Sequence, residues 1–362
     1  MHRRWTLSPG TCRPAAEPHH NSAPQADNDR VNTTEAETYR REILGYCYRY
    51  FGCIAEAEDA TQETMLRAWR ARDGAEFGGR SSLRTWLYSI ATHVCLDMAR
   101  APQRRSLPVD LNEPGRVPDD PTSLATMPEQ MWIGPASDAH LGVDPSATAL
   151  ARESVRLAFV AALQFLPPRQ RVVLILRDVL VLSAAECADL LDMSVASVNS
   201  ALARARKTMA QHGATLPTDT ADDAPAYDTR LLEKYVAAFE AYDVDRLVDL
   251  LTEDAEFSMP PFELWLRGPA QIERWWRGPG QVCRNSRTIV TSANGRPAVA
   301  VYHDGGGRDE SRNDAGVRDS SAARWEPFAI HVLESRAGRL SALTHFIGAG
   351  HFAEFGLPAP LP

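Results

Sequence analysis

Ser197, Asn199, Ser200, Arg204, Arg206 and Lys207 fall within one short stretch of the chain. Their types suit nucleic acid. Short hydroxyl and amide side chains reach base edges in a major groove. Arginine and lysine neutralise phosphates, which fixes register without reading sequence. That chemistry needs a helix to carry the residues into the groove and a second element to brace it.

Both elements are written around these residues. Residues 166–209 read LPPRQRVVLILRDVLVLSAAECADLLDMSVASVNSALARARKTM and hold three short helical patterns. Pro167-Pro168 stops what precedes it and can occupy the first turn of the next helix. Val172, Val173, Leu176 and Val179 keep helical spacing across Arg169–Val179. Ser183 and Glu186 form a capping box, opening a helix that buries Cys187, Leu190 and Leu191. Asp192-Met193-Ser194 makes a turn, and the last helix begins near Val195 and ends in the basic run. This is a helix-turn-helix pattern. A plain three-helix packing unit with a solvated basic face has the same pattern, and the residues alone leave both open.

Upstream, three helices are expected: Tyr39–Phe51, Glu56–Arg72, and Ser82–Arg100 with Ser81 as its cap. The second is acid-led, with Ala60, Glu63, Thr64 and Arg67 along one stripe. The Gly-rich break Phe77–Arg80 precedes the third, so Arg80, Ser82, Arg84 and Trp86 surround a glycine loop. An arginine and an aromatic ring there can hold an unstacked base, worth about 1–3 kcal/mol. Trp86 shares a face with Ile90, so core packing is the alternative; for Asp59, Gln62, Glu63 and Arg67 it is a solvated helix face.

Across 362 residues the net charge is -8, which excludes a general nucleic-acid coat protein. The helix-turn-helix region departs from that balance: residues 151–212 hold eight Arg or Lys against five Asp or Glu. No apolar run is long enough to span a membrane, and the N-terminus lacks the order of a signal peptide. The six cysteines are scattered, with no CxxC pair, and fit reduced core residues of a cytoplasmic protein better than a disulfide or zinc framework. Residues 1–34 are expected to be disordered, or to follow a wrongly chosen start codon. Residues 106–150 are acidic and proline-rich, an expected linker, with Met131-Trp132-Ile133 as an apolar island suited to docking on a partner or on another part of the chain. A second linker is expected over 213–226.

From residue 227 the pattern changes. Tyr227–Tyr242 is an amphipathic helix with Leu231, Leu232, Tyr235, Val236 and Phe239 inward. A shorter helix follows over Val244–Leu251, and another over Gly268–Trp276. Strands are expected at Ala255–Met259, Pro297–His303, Glu326–Glu334 and Arg339–Ile347, closing as an antiparallel run. Helices followed by strands make an α+β cone. Met259, Trp265, His331 and His345 are its candidate pocket residues. Asp304–Ala323 is polar and glycine-rich: a mobile loop, a gate over the cone, or a neutral insertion.

Residues 166–209 resemble the promoter-reading C-terminal domain of extracytoplasmic-function (ECF) sigma factors, through LPPRQR, LRDVL and the spacing of SAAE to RAR. Met193 stands where that family places a glycine or small residue. AEDATQETMLRAW and GRSSLRTWLYSIATHVCLD resemble the family's N-terminal domain, and YVAAFEAYDVDRLVDLLTEDAEFSMPP resembles the SnoaL-like branch of the NTF2-like fold. The resemblance implies a multidomain chain: a sigma N-terminal domain (35–105), a helix-turn-helix domain (151–212), both all-α, and an α+β cone (227–357). It implies core RNA polymerase as partner, through its β′ clamp helices and β subunit, with Asp59, Gln62, Glu63 and Arg67 as contacts. It implies promoter DNA, with Gly79, Arg80, Ser81, Ser82, Arg84 and Trp86 at the minus-ten element and Val195–Arg206 at the minus-thirty-five element. The cone would act in cis on the two DNA-reading domains. SnoaL-type cyclases use an Asp/His pair, and no such pair has a readable spacing here, so no enzyme, cofactor or metal is expected. A small ligand of the cone stays open. The alternatives are a one-component repressor with a ligand in the cone, and a DNA-tethered cyclase.

Overall fold

The structure is a computed structural model, described here for residues 33–72, 82–99, 105–143, 148–214, 229–304 and 325–361. The expected tail, Gly79, Arg80 and Ser81, most of the second linker, and the glycine-rich loop beyond Asp304 lie outside the described residues.

Four helices form the first unit: α1 (Thr33–Thr38), α2 (Arg40–Phe51), α3 (Ile54–Arg72) and α4 (Leu83–Met98). α2 stops at Gly52, whose left-handed backbone (φ 70°) returns its N–H to the Tyr48 carbonyl. It is buried on almost every side, because α3 and α4 and later helices all pack on it. Tyr46 shares a 2.8 Å hydrogen bond with Thr92 of α4. Cys47 and Cys95 lie 3.8 Å apart as free thiols. α4 is capped by Ser82, whose hydroxyl accepts the Thr85 N–H at 3.1 Å.

Residues 105–143 are not a free linker. They hold α5 (Pro108–Leu111), two 3-10 turns (Pro121–Ser123, Glu129–Met131) and α6 (Asp138–Leu141). The prolines prevent long helices but let the chain follow the surfaces of its neighbours. Val117, Trp132 and Ile133 are buried, and Gly134 donates to the Gly52 carbonyl at 3.0 Å. The apolar island thus docks on this same chain. Arg105 anchors the segment's start by donating to the Phe51 carbonyl (3.0 Å) and to both Glu56 carboxylate oxygens (2.8 and 2.6 Å).

The second helical unit comprises α7 (Ala149–Glu153), α8 (Leu157–Gln164), α9 (Pro168–Leu174), α10 (Ala184–Leu191) and α11 (Val195–Gln211). The helix expected over 169–179 is α-helical only to Leu174 and widens into a π-turn over Ile175–Val179. This unit packs directly on the first, α8 against α2 and α9 against α4. Arg171 donates to the Tyr50 carbonyl (2.6 Å) and to Gln164 Oε1 (2.8 Å), with its guanidinium 5.1 Å from the Tyr50 ring centre. Burial pulls the Arg171 pKa down to about 10. Arg49 donates twice to Ser154 Oγ, at 3.0 and 2.9 Å.

The cone has α12 (Thr229–Glu240), α13 (Val244–Asp249), β1 (Leu251–Ser258), β2 (Trp265–Arg267), α14 (Pro269–Arg277), β3 (Arg287–Ala293), β4 (Arg296–Asp304), β5 (Trp325–Arg336), β6 (Arg339–Ile347) and α15 (Gly350–Glu354). The sheet order is β2-β1-β6-β5-β4-β3. All pairs are antiparallel except β1 with β6. The expected antiparallel run is therefore a mixed sheet, because the chain leaves β1 and β2 by way of α14 and returns to β1 only with its last strand. β2 and β3 were absent from the expected strands.

Candidate nucleic-acid interface

α10 and α11 carry the helix-turn-helix. The capping box is present: the Ser183 hydroxyl accepts the Glu186 N–H (3.1 Å) and the Glu186 carboxylate accepts the Ser183 N–H (2.7 Å). In the turn, Asp192 takes the left-handed conformation (φ 51°), which aspartate tolerates better than most residues. The strained position is thus Asp192, and Met193 needs no glycine geometry. Met193 instead donates its N–H to Ala188 at 2.9 Å. Ser194 caps α11 by accepting the Ser197 N–H at 3.1 Å.

α11 buries Val198, Ala201, Leu202, Ala205 and Met209. Ser197, Asn199, Ser200, Arg204, Arg206 and Lys207 are all exposed. Two are already engaged. The Ser197 hydroxyl shares a 2.8 Å hydrogen bond with Ser194. Arg206 makes a two-pronged ion pair with Asp178 of the π-turn, at 2.8 and 2.6 Å. At helical spacing Ser200 and Lys207 face away from the buried side, whereas Arg204 and Arg206 flank it on opposite edges.

In the first unit, Asp59 and Gln62 are exposed, and Glu63 and Arg67 are half-exposed and paired at 2.7 Å. Arg67 also reaches Asp97 of α4 at 3.4 Å. The expected stripe straddles the core boundary, since Ala60 and Thr64 are fully buried. The same face exposes Leu66 (39%) and Trp69 (50%), which sequence reasoning passed over. Their signal was the spacing of Gln62, Leu66 and Trp69 along the polar side of an amphipathic helix. Arg84 is held by the Glu42 carboxylate and lies over the Tyr88 ring. Trp86 is half-buried, lining an open cleft of about 430 Å³ with Arg67, Arg70 and His93.

The cone's residues divide. Met259 and His345 line a partly open cavity in the cone. His331 lies directly opposite His345 in the β5–β6 register, with the rings stacked at 3.3 Å between centres and 5° from parallel. The Tyr235 hydroxyl lies 2.9 Å from His331 Nδ1 and 3.4 Å from His345 Nε2. Burial, with His345 and His303 adding, holds His331 well below its ordinary pKa, and burial alone takes His345 to about 3. The pair is neutral, and the residue it shares is a tyrosine and not a carboxylate. Trp265 does not join the cavity. On β2 it sits opposite Ser258, and its Nε1 donates to the Asn112 carbonyl of the 105–143 segment at 2.8 Å. Among the described residues no His, Cys, Asp and Glu group could hold a metal, and no helix is long and apolar enough to cross a membrane.

Residues 36–105 match the family model of Sigma-70 region 2, residues 156–209 that of Sigma-70 region 4, and residues 232–342 that of the SnoaL-like domain. The chain is 42% identical over 336 residues to the ECF RNA polymerase sigma factor SigG of Mycobacterium tuberculosis, covering 91% of this chain and 84% of that one. It is 29% identical over 228 residues to SigJ of the same species, covering 63% and 64%. The crystal structure of SigJ superposes with a TM-score of 0.55 at 23% identity, covering 90% of this chain and all of that one, which shows a shared fold. The chain belongs to the family of ECF RNA polymerase sigma factors, with a SnoaL-like domain following the two sigma regions.

Proposed function

We propose that the chain is a transcription initiation factor that its own cone holds in a closed form. Residues 35–105 engage core RNA polymerase, with Asp59, Gln62, Glu63 and Arg67 as contacts, and meet the minus-ten element near Arg80, Ser82, Arg84 and Trp86. Residues 151–212 read the minus-thirty-five element through Ser197, Asn199, Ser200 and Arg204, with Arg206 and Lys207 on the phosphates. The place of work is the cytoplasm, where polymerase and promoter are.

The two elements are separated by roughly 25 base pairs, or about 85 Å at 3.4 Å each. In the closed form α4 packs on α9 and α9 on α11. Two helix spacings put α4 and α11 roughly 20 Å apart. About 25 Å of length in each helix does not make up the difference. Promoter engagement therefore requires the two units to part.

One observation carries the cis reading. The β3–β4 turn, Asn294-Gly295, is driven into the junction of the helical units. Asn294 is fully buried. Its Nδ2 donates to Tyr48 Oη of α2 (2.6 Å) and to the Val155 carbonyl (2.8 Å), and its Oδ1 accepts the Ala136 N–H (3.0 Å). Gly295 donates to Asp138 at 2.7 Å, and a Cβ there would lie 2.7 Å from the Arg152 carbonyl. One turn thus ties both sigma regions and the segment between them. A mobility-shift assay with and without core polymerase tests the function. Specific promoter binding that depends on polymerase is expected; equally strong and specific binding by the chain alone would favour the repressor.

A further inference from the structure

The cone holds a cavity of about 320 Å³ that opens to solvent at Val282. Phe239, Phe257, Trp275 and His345 line it from the cone itself, and Pro121 and Leu124 close it from the segment between the sigma regions. A 150 Å³ apolar cavity takes a benzene, so about twice that volume suits two or three fused rings. Among the described residues no Asp, Glu, Lys or Arg lines the space, and its polar side chains are the His303 and His345 imidazoles and the Cys283 thiol. His345, which buries its imidazole in the neutral form, offers a hydrogen bond but no ion pair. A mostly apolar chamber with few polar groups is the usual composition of a small-molecule site.

The wall from outside the cone is strapped down on both sides of Pro121–Leu124. Gly115 donates to the Trp265 carbonyl at 2.8 Å, and a Cβ at Gly115 would fall 2.4 Å from Leu264 Cδ1. Val117 is buried in the cone's apolar cluster. On the far side Met127 donates to the Pro261 carbonyl, and Glu263 to that of Ala125, both at 3.0 Å. This strap is the same chain that must come free for the two sigma regions to part. The cavity exists with the strap in place. A ligand touching the strap therefore favours the docked state, by the difference in its affinity for docked and undocked forms.

We propose that this cavity binds an uncharged, largely apolar molecule of two or three fused rings, which by touching Pro121 and Leu124 holds the strap down and keeps the factor closed. The effect on the factor rests on the closed-state reading above; the binding site does not.

The neutral fluorophore 1-aminoanthracene, titrated into the full chain, is expected to bind saturably at one site with enhanced emission. Anthracene-1-sulfonate should bind at least about tenfold more weakly. Met259→Trp, which fills the cavity, should weaken aminoanthracene by at least about tenfold. Should that variant melt early, Val282→Trp at the rim, where the native residue is 66% exposed, carries the same expectation. The strap is read separately. Arg116 is the lone Lys or Arg between Arg105 and Arg152, so tryptic cleavage there reports undocking. Saturating aminoanthracene should slow it at least about threefold, with a ceiling near a hundredfold at one hundred times Kd. Absence of saturable binding, binding that neither variant weakens, or tighter binding of the sulfonate would overturn the site. Unchanged or faster cleavage at Arg116 would overturn the coupling. Polymerase and promoter are absent from both measurements, so failure here leaves the sigma-factor reading untouched.

Discussion

Asn294→Ala is the sharpest perturbation of the closed form. It removes three side-chain hydrogen bonds in a buried junction. Two backbone groups, the Ala136 N–H and the Val155 carbonyl, lose these partners at residues that are 1% and 0% exposed. Leaving a buried group unpaired costs about 1–3 kcal/mol, so the pair costs roughly 2–6 kcal/mol. Asn294 also has φ 55°, which adds about 1 kcal/mol for alanine. Asn294→Gly removes that last cost and keeps the rest, so the two variants should differ by about 1 kcal/mol. The groups regain water when the units part, so the penalty falls on the closed state. At 1.4 kcal/mol per factor of ten, the closed-to-open ratio should drop by roughly a factor of thirty or more. Tryptic cleavage at Arg116 should accelerate, small-angle scattering should report a larger radius of gyration, and transcripts per mole of factor with core polymerase should rise. A variant that folds normally and changes none of the three would refute the latch.

Other outcomes follow from the same geometry. Lys207→Ala should lower the slope of log K against log salt by about one in promoter binding with core polymerase. Arg206→Ala should lower it by less, because Asp178 already neutralises that guanidinium; equal slopes would show that the ion pair opens on DNA. Ser183→Ala breaks the capping box of α10 and should cost about 1 kcal/mol in denaturant unfolding. The buried histidines bind protons less readily folded than unfolded. Below about pH 6.5 the unfolded chain gains protons first, so their stabilising effect is present above that pH and is lost as pH falls toward 3. Replacing both with Asn should flatten this acid limb in a series of melts.

The helix-turn-helix was legible because its signals are local. A cap, a capping partner three residues on, and apolar residues at helical spacing all lie within one turn of what they control. The mixed sheet and the histidine stack were not, because register across β5 and β6 decides which side His331 faces, and alternation along one strand does not. The strap was hidden for a different reason. Val117, Leu124, Trp132 and Ile133 are too sparse to show a period, and the cone that covers Val117 and Leu124 lies more than a hundred residues away in sequence. Asn294-Gly295 did carry a signal, since an Asn-Gly pair between alternating apolar residues marks a hairpin. Its role at the junction depends on Tyr48, Ala136 and Val155, which no local pattern connects to it. Residue type alone suggests a pocket position for Trp265, and the short edge strand β2 turns it toward the strap instead.

In vitro transcription with purified core polymerase is the most direct test, comparing the full chain with a chain ending at residue 214 on promoters selected from genomic fragments. A sigma factor closed by its own cone predicts the same start sites from both forms and more transcript per mole from the shorter one. DNA binding without any transcript from either form would contradict the initiation role, and a folded but less active short form would contradict closure by the cone.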